Sequence, residues 1–264
     1  VTASPLHLRQ VCLAVPRLAP VVDDLCAIFD LSVAHRDPHL VAYGLENVLL
    51  PVGEDFIELV APIQPDTAAG RFIARSQGHG GYMAIFQCGD PLARQAAAQA
   101  LAVRTAHEID VPGYRSVQLH PRDCRAAFIE FGHSQPGASD AGDANDPARA
   151  WWPAGQDWAA HVRTGTARRL RGIVLEGPQP QALLAHWARL LGVPEPAATA
   201  ALRFNVSTMA ITAAEGPTEV LGAVQIEVAD VAATLARAAG RGLWVQGQRF
   251  HLAGVHFELI AHTA

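Results

Sequence analysis

One spacing constrains this chain more than any other feature. The string FIELVA at residues 56–61 returns as FIEF at 128–131 and, loosely, as HFELIA at 256–261. Gln10 to Glu58 and Tyr82 to Glu130 are both 48 positions (58 − 10 and 130 − 82). A return at fixed period means that one supersecondary unit is used more than once. The unit reads β-α-β-β-β. RQVCLAVP (9–16) is an aliphatic strand, and LAPVVDDLCAIFDL (18–31) carries Leu18, Val21, Val22, Leu25, Ile28 and Phe29 at helical spacing. LSVAHR, ENVLLPVG and DFIELVAP then read as strands separated by Pro38, Gly44 and Gly53. The second copy has GYMAIFQC as a strand, PLARQAAAQALA as a helix, and YRSVQLHP and AAFIEF as strands.

Two thinner copies follow. LRGIVLEG, PQALLAHWARLLG, LRFNVS and STMAITA make the third, with Gly192 as a helix C-cap; AVQIEVAD, VAATLARAAGRG, GLWVQG, RFHLAG and VHFELIAH make the fourth. Between the pairs lie the small polar run SQPGASDAGDANDP (134–147) and WWPAGQDWAAHV, which holds three of the five tryptophans. The first reads as a linker and the second as a segment pinned to a domain surface by its aromatic rings. The expected division is therefore residues 1–133, a linker and Trp-rich segment at 134–167, and a smaller domain at 168–264.

Composition narrows the function classes. Half of the 264 residues are apolar and 17% charged, a globular balance. The net charge is −5 with no basic run, which argues against nucleic acid. No apolar stretch is long enough for a membrane helix, and VTASPLHLR lacks a signal-peptide pattern, so a cytoplasmic location is expected. Cys12, Cys26, Cys88 and Cys124 form no CxxC pair and read as small buried hydrophobes. All 20 basic residues are arginine, which removes Schiff-base and P-loop lysines; no GxGxxG, GxSxG or HExxH string occurs, and no nucleotide cofactor is expected.

The strings RQVCLAVPRL, GLENVLLPVGEDFIELVAP, GGYMAIF and LHPRDCRAAFIEF resemble the vicinal oxygen chelate superfamily of glyoxalases, methylmalonyl-CoA epimerases, extradiol dioxygenases and bleomycin-resistance proteins. The first half is most similar to a glyoxalase-like subgroup of bacterial proteins, and LHPRD is similar to an HPK-type segment of the epimerases. The resemblance implies an α+β fold of tandem βαβββ modules in two domains, each an incomplete barrel with flanking helices. It also implies ligand places on the first and last strand of each module, which fall here on Gln10, Glu58, Tyr82 and Glu130. Tyr82 departs from the histidine common at its place. Metal ligation by Gln10, Glu58 and Glu130 is then expected, with Mg, Mn, Fe, Co or Ni suiting oxygen ligands.

Strand alternation by itself puts Glu58 with Phe56 and Val60, and Glu130 with Phe128. A carboxylate among apolar neighbours needs a metal, a cation or a proton. Either a divalent ion or arginine pairing answers that need. His120, before a proline at a strand end, either works in a cleft as proton shuttle or ligand or caps the strand. Arg122 and Arg125 either grip a substrate anion or stand solvated in their turn. His79, in GHGG on a loop that the glycines make flexible, either stands over the cleft in place of the missing histidine or is an ordinary loop residue. Tyr82 either binds substrate or packs. His251 and His256 read as surface or strand histidines.

The leading expectation is a metal-dependent isomerase, epimerase or lyase acting on a small oxygenated acid, ketone or thioester through an enediolate, with Glu130 or Glu58 as base. A metal-free, bleomycin-resistance-like binding protein is the alternative, and an extradiol-type dioxygenase the third. The thin fourth copy leaves edges that a second copy of the chain would cover.

Overall fold

Strand and helix formers alternate along the chain, and the elements follow them. The computed structural model describes residues 6–135, 151–195, 201–204 and 207–262. The first repeat is β1 (Leu6–Ala14), α1 (Leu18–Phe29), β2 (Leu45–Val52) and β3 (Asp55–Pro62), and α2 (Ala68–Arg75) leads out of it. The second is β4 (Gly81–Cys88), α3 (Pro91–Ala100), β5 (Thr105–Val111), β6 (Tyr114–Leu119), α4 (Pro121–Cys124) and β7 (Phe128–Ser134). The third is β8 (Ala167–Gly177), α5 (Pro180–Leu191), β9 (Leu202–Phe204) and β10 (Ser207–Glu215). The fourth is β11 (Val220–Val228), α6 (Val231–Gly240), β12 (Val245–Gln246), β13 (Arg249–Leu252) and β14 (Val255–Ala261).

The expected tandem βαβββ architecture of vicinal-oxygen-chelate-like domains, an α+β fold, is present. In the last three repeats the first strand pairs in parallel with the last: β4 with β7, β8 with β10, and β11 with β14. A parallel pair needs a crossover, and α3, α5 and α6 supply it. Local chemistry starts these helices. Asp90 accepts from the Ala93 N–H at 3.0 Å, and Asp230 accepts from the Ala233 N–H at 2.9 Å. α5 ends at Gly192 in the left-handed conformation, as expected of a glycine C-cap.

Two details differ from the sequence reading. LSVAHR is no strand; only one bridge, His35 to Leu49, joins it to β2. Asp37 and Pro38 follow at once and turn the chain into a short 3-10 helix, Pro38–Tyr43. Conversely, β5 was not foreseen. Its exposed positions carry Glu108 and Asp110, so it reads as polar loop although it pairs along its length with β6.

Contacts divide the chain into two compact units that interleave. One holds Val1–Gln10, Met83–Trp152 and Gly172–Leu221; the other holds Val11–Tyr82, Pro153–Arg171 and Gly222–Ala264. These units combine the second repeat with the third and the first with the fourth. In the first unit Phe86 meets Phe204 at 5.6 Å, and Trp187 of α5 donates to the Cys124 carbonyl at 3.0 Å. In the second, Phe29 of α1 packs against Phe250 at 5.6 Å and Phe257 at 5.7 Å. A lone repeat has one apolar sheet face, and burying it needs a second repeat, which here is not the next one in sequence. The linker 136–147 lies outside the described residues.

Cys12, Cys88 and Cys124 are buried and Cys26 partly so, with no disulfide among them. Burial pushes the thiols of Cys88 and Cys124 up to about 12, so they stay protonated.

Candidate functional site

In the first unit, β6 and β7 pair antiparallel with Gln118 opposite Glu130, Ser116 opposite Gly132 and Tyr114 opposite Ser134. Cross-strand partners share a face, so these six residues line one side of the sheet. Glu130 is 5% exposed. Its Oε1 accepts from the Tyr114 hydroxyl at 2.9 Å, and its Oε2 from the Gln118 amide at 2.9 Å. Neither donor is charged. A phenol and an amide therefore orient this carboxylate.

Trp151 lies over the same face, fully buried. Its indole N–H donates to the Gln10 amide oxygen at 2.8 Å, and its ring meets Tyr114 edge-on at 5.9 Å. Trp152 stacks on Tyr114 at 5.2 Å, and its backbone N–H donates to Ser134 Oγ at 3.0 Å. The absence of a side chain at Gly132 makes room: a Cβ there would stand 2.6 Å from the Tyr114 hydroxyl and 3.2 Å from the Trp151 ring. So an uncharged amide stands in the buried strand β1 because the interior contains an indole donor. The Trp-rich segment is pinned by its rings, as its composition implies.

In the second unit, Glu58 on β3 is 8% exposed, and its Oε1 accepts from Asn47 Nδ2 at 2.7 Å. Asn47 is itself fixed, its Oδ1 accepting from the Asp37 N–H at 2.8 Å. Tyr82 is 6% exposed and packs on Phe72 at 4.9 Å. Burial, then the nearby Cys12 and Glu58, push its phenol far above the ordinary range, so it remains a neutral donor. Trp158 stands edge-on to Phe56 at 5.1 Å.

The remaining expected residues are engaged locally. His120 is the N-cap of α4, its Nδ1 accepting from the Arg122 N–H at 3.3 Å and lying 3.3 Å from Arg104. Arg125 grips a carboxylate, but the chain's own: its Nε donates to Glu219 at 2.8 Å and a second bond joins the same pair. Arg122 is exposed. His79 lies on a loop whose glycines serve close packing. A Cβ at Gly80 would be 1.8 Å from the Ala253 carbonyl, and one at Gly254 2.2 Å from that of Gly78.

Asn47, Tyr114, Gln118 and Trp151 escaped sequence reasoning. Gln118 was findable. Once YRSVQL and FIEF are paired as a hairpin around the turn at 122–125, Gln118 falls opposite Glu130.

Gln10, Glu58 and Glu130 each already accept from a protein donor. Among the described residues no three His, Cys, Asp or Glu side chains come together to hold an ion.

Repeated βαβββ modules with inward glutamates on their last strands define a member of the vicinal oxygen chelate superfamily. Within that class the chain belongs to the glyoxalase-like domain family, whose model matches residues 11–191. Among solved structures, a hypothetical protein from Staphylococcus aureus is similar over 97% of this chain and 99% of its own, at 11% identity and a TM-score of 0.65. A hypothetical protein from Bacillus halodurans matches 51% of this chain and 99% of its own, at 21% identity and a TM-score of 0.46. A Streptomyces coelicolor methylmalonyl-CoA epimerase, in complex with 2-nitronate-propionyl-CoA, matches 50% of this chain and 99% of its own, at 21% identity and a TM-score of 0.44. These likenesses concern the fold. No match is found among the curated proteins. Among the described residues, no helix is long and apolar enough to cross a membrane.

Proposed function

We propose that this protein is an isomerase, epimerase or lyase that removes a proton next to the carbonyl of a small oxygenated acid, ketone or thioester, with Glu130 as the base. One observation carries the reading: Glu130 is buried on a sheet face and held at both oxygens by uncharged donors. A carboxylate paired with arginine is committed to that partner. One oriented by a phenol and an amide keeps its charge available to a substrate proton, and each oxygen keeps a second lone pair. Proton removal leaves an enediolate whose negative oxygen needs donors. In the other unit Glu58 is the second candidate base, and the neutral Tyr82 phenol near it is the donor suited to that role.

The alternative, a metal-free binding protein, is favoured by Tyr82, which stands where a histidine is common in the family. Assembly with a second copy is part of the proposal. Action in the cytoplasm is proposed as well, supported by the absence of CxxC pairs and disulfides.

The test is solvent exchange. The protein is incubated in heavy water with a panel of hydroxy acids, ketones and thioesters, after chelation and again with Mg, Mn, Fe, Co or Ni restored. Loss of the α-proton signal is followed by NMR. Exchange in wild type that falls about 10²–10⁴-fold in Glu130→Gln fits a general base. Exchange untouched by that substitution removes Glu130 from the mechanism. Thermal stabilisation by a panel member with no exchange makes the chain a binding protein.

A further inference from the structure

The fourth repeat carries a feature outside the face just described. In the β13–β14 hairpin, Arg249 pairs with Glu258, Phe250 with Phe257, His251 with His256 and Leu252 with Val255. Alternation sends Phe250, Leu252, Val255 and Phe257 to the buried side, where Phe250 and Phe257 meet Phe29. It leaves His251 and His256 side by side on the other face, the first exposed and the second half-buried. Their ring centres are 5.3 Å apart at 71°.

That separation has a chemical meaning. With a Zn–N bond of about 2.0–2.1 Å and the ion in line with each ring, two imidazoles on one tetrahedral ion have centres about 5.2 Å apart. The pair therefore already stands at the span that a shared ion requires. The register of an antiparallel hairpin holds it there, so little side-chain freedom is lost on binding. Among the described residues, His256 Nδ1 has no hydrogen-bond partner.

The surroundings fix the pair further. The 78–80 loop is tied to the hairpin turn by the Gly80 N–H donating to the Gly254 carbonyl at 3.1 Å. The close approach of Gly80 and Gly254 gives the GHGG string its purpose, which is to hold His79 beside this hairpin. Trp244 closes the other side, its ring 5.9 Å from His256 and its carbonyl accepting from the His251 N–H at 3.1 Å.

We propose that His251 and His256 form a surface binding site for a borderline divalent transition ion of the zinc, nickel or copper kind, separate from the glutamates of the sheet faces. Two imidazoles leave coordination positions for water or for a further ligand.

Trp244 provides the readout. Ni²⁺ is titrated into untagged full-length protein near neutral pH, with binding followed by calorimetry and by quenching of tryptophan fluorescence. Wild type is expected to take up one ion per chain, with quenching. His251→Ala and His256→Ala each weaken binding at least tenfold. Trp244→Phe keeps the calorimetric binding and removes most of the quenching. Glu58→Gln and Glu130→Gln leave both signals intact. No saturable uptake, or uptake unchanged in both histidine variants, would overturn the site. So would uptake lost in the glutamate variants, which would move the ion to the family's ligand places. Because the readout is ion binding, it stands or falls independently of any proton exchange.

Discussion

Tyr114→Phe isolates what holds the Glu130 carboxylate. The substitution removes one hydroxyl and keeps the ring, so the stack on Trp152 at 5.2 Å and the edge contact with Trp151 at 5.9 Å survive. What is lost is the 2.9 Å bond to Glu130 Oε1. A hydrogen bond to a charged group contributes about 1.5–3 kcal/mol net, and about half that to a neutral acceptor. The wild-type background should therefore lose about 2 kcal/mol, and Glu130→Gln, where the acceptor is an amide, about 1 kcal/mol. With about 2.1 cal/mol/K of unfolding entropy per residue, 2 kcal/mol over 264 residues lowers Tm by about 4 °C. The assay is a double-mutant cycle in urea on wild type, both single variants and the double variant. The coupling energy should be about 1 kcal/mol, beyond the few tenths at which independent sites add. An equal cost in both backgrounds would mean that the phenol does not serve the charge, and the orientation argument for Glu130 would fail with it.

Two further outcomes are expected. Gly132→Ala puts a methyl 2.6 Å from the Tyr114 hydroxyl and 3.2 Å from Trp151. It should cost about 1–3 kcal/mol as overpacking and shift the Trp151 emission to the red, and an unchanged spectrum would place that indole elsewhere. Glu227, 5% exposed, faces His262 at 2.7 Å and Arg171 at 3.0 Å. Burial alone would push its carboxyl up, but the His262 bond, Arg169 and Arg171 hold it below the ordinary value. A group whose folded value is depressed stabilises above its unfolded value and loses that contribution as pH falls through the folded one. The stability gap between wild type and Glu227→Gln should therefore be full at neutral pH and shrink below about pH 4.3. A gap that is constant with pH, measured by urea unfolding, would contradict the ion cluster.

The repeat was legible because two physical rules leave marks in sequence. Helical and strand periods differ, and a duplicated element keeps its spacing, so Gln10–Glu58 and Tyr82–Glu130 could be matched without coordinates. The pairing of repeats was not legible. Every repeat has an apolar face, and nothing in Phe29 or Phe86 says that the partners are Phe257 and Phe204. The carboxylates were legible as buried, whereas the amides beside them were not, because a charge-balance argument looks for cations and metals and passes over neutral donors. Trp151 illustrates the hardest case. Its bond to Gln10 joins residues 141 positions apart, and no local pattern announces such a contact.

The amides point to a common device in three of the four repeats. Glu58 accepts from Asn47 on the neighbouring strand at 2.7 Å, Glu130 from Gln118 directly opposite at 2.9 Å, and Glu258 from Gln225 on its parallel partner at 3.0 Å. The three donors occupy different places in their repeats: β2, β6 and the first strand β11. A residue carried along unchanged by duplication would keep one place. Different places with one outcome mean that the requirement is physical: a glutamate on a paired strand needs a donor. Arginine was available, since all 20 basic residues of the chain are arginine. Where the chain does neutralise a carboxylate it uses them, at Glu219 with Arg125 and at Glu227 with Arg171. Glu130 and Glu227 mark the contrast: both are 5% exposed, but Glu130 is held at both oxygens by a phenol and an amide, and Glu227 by Arg171 and His262.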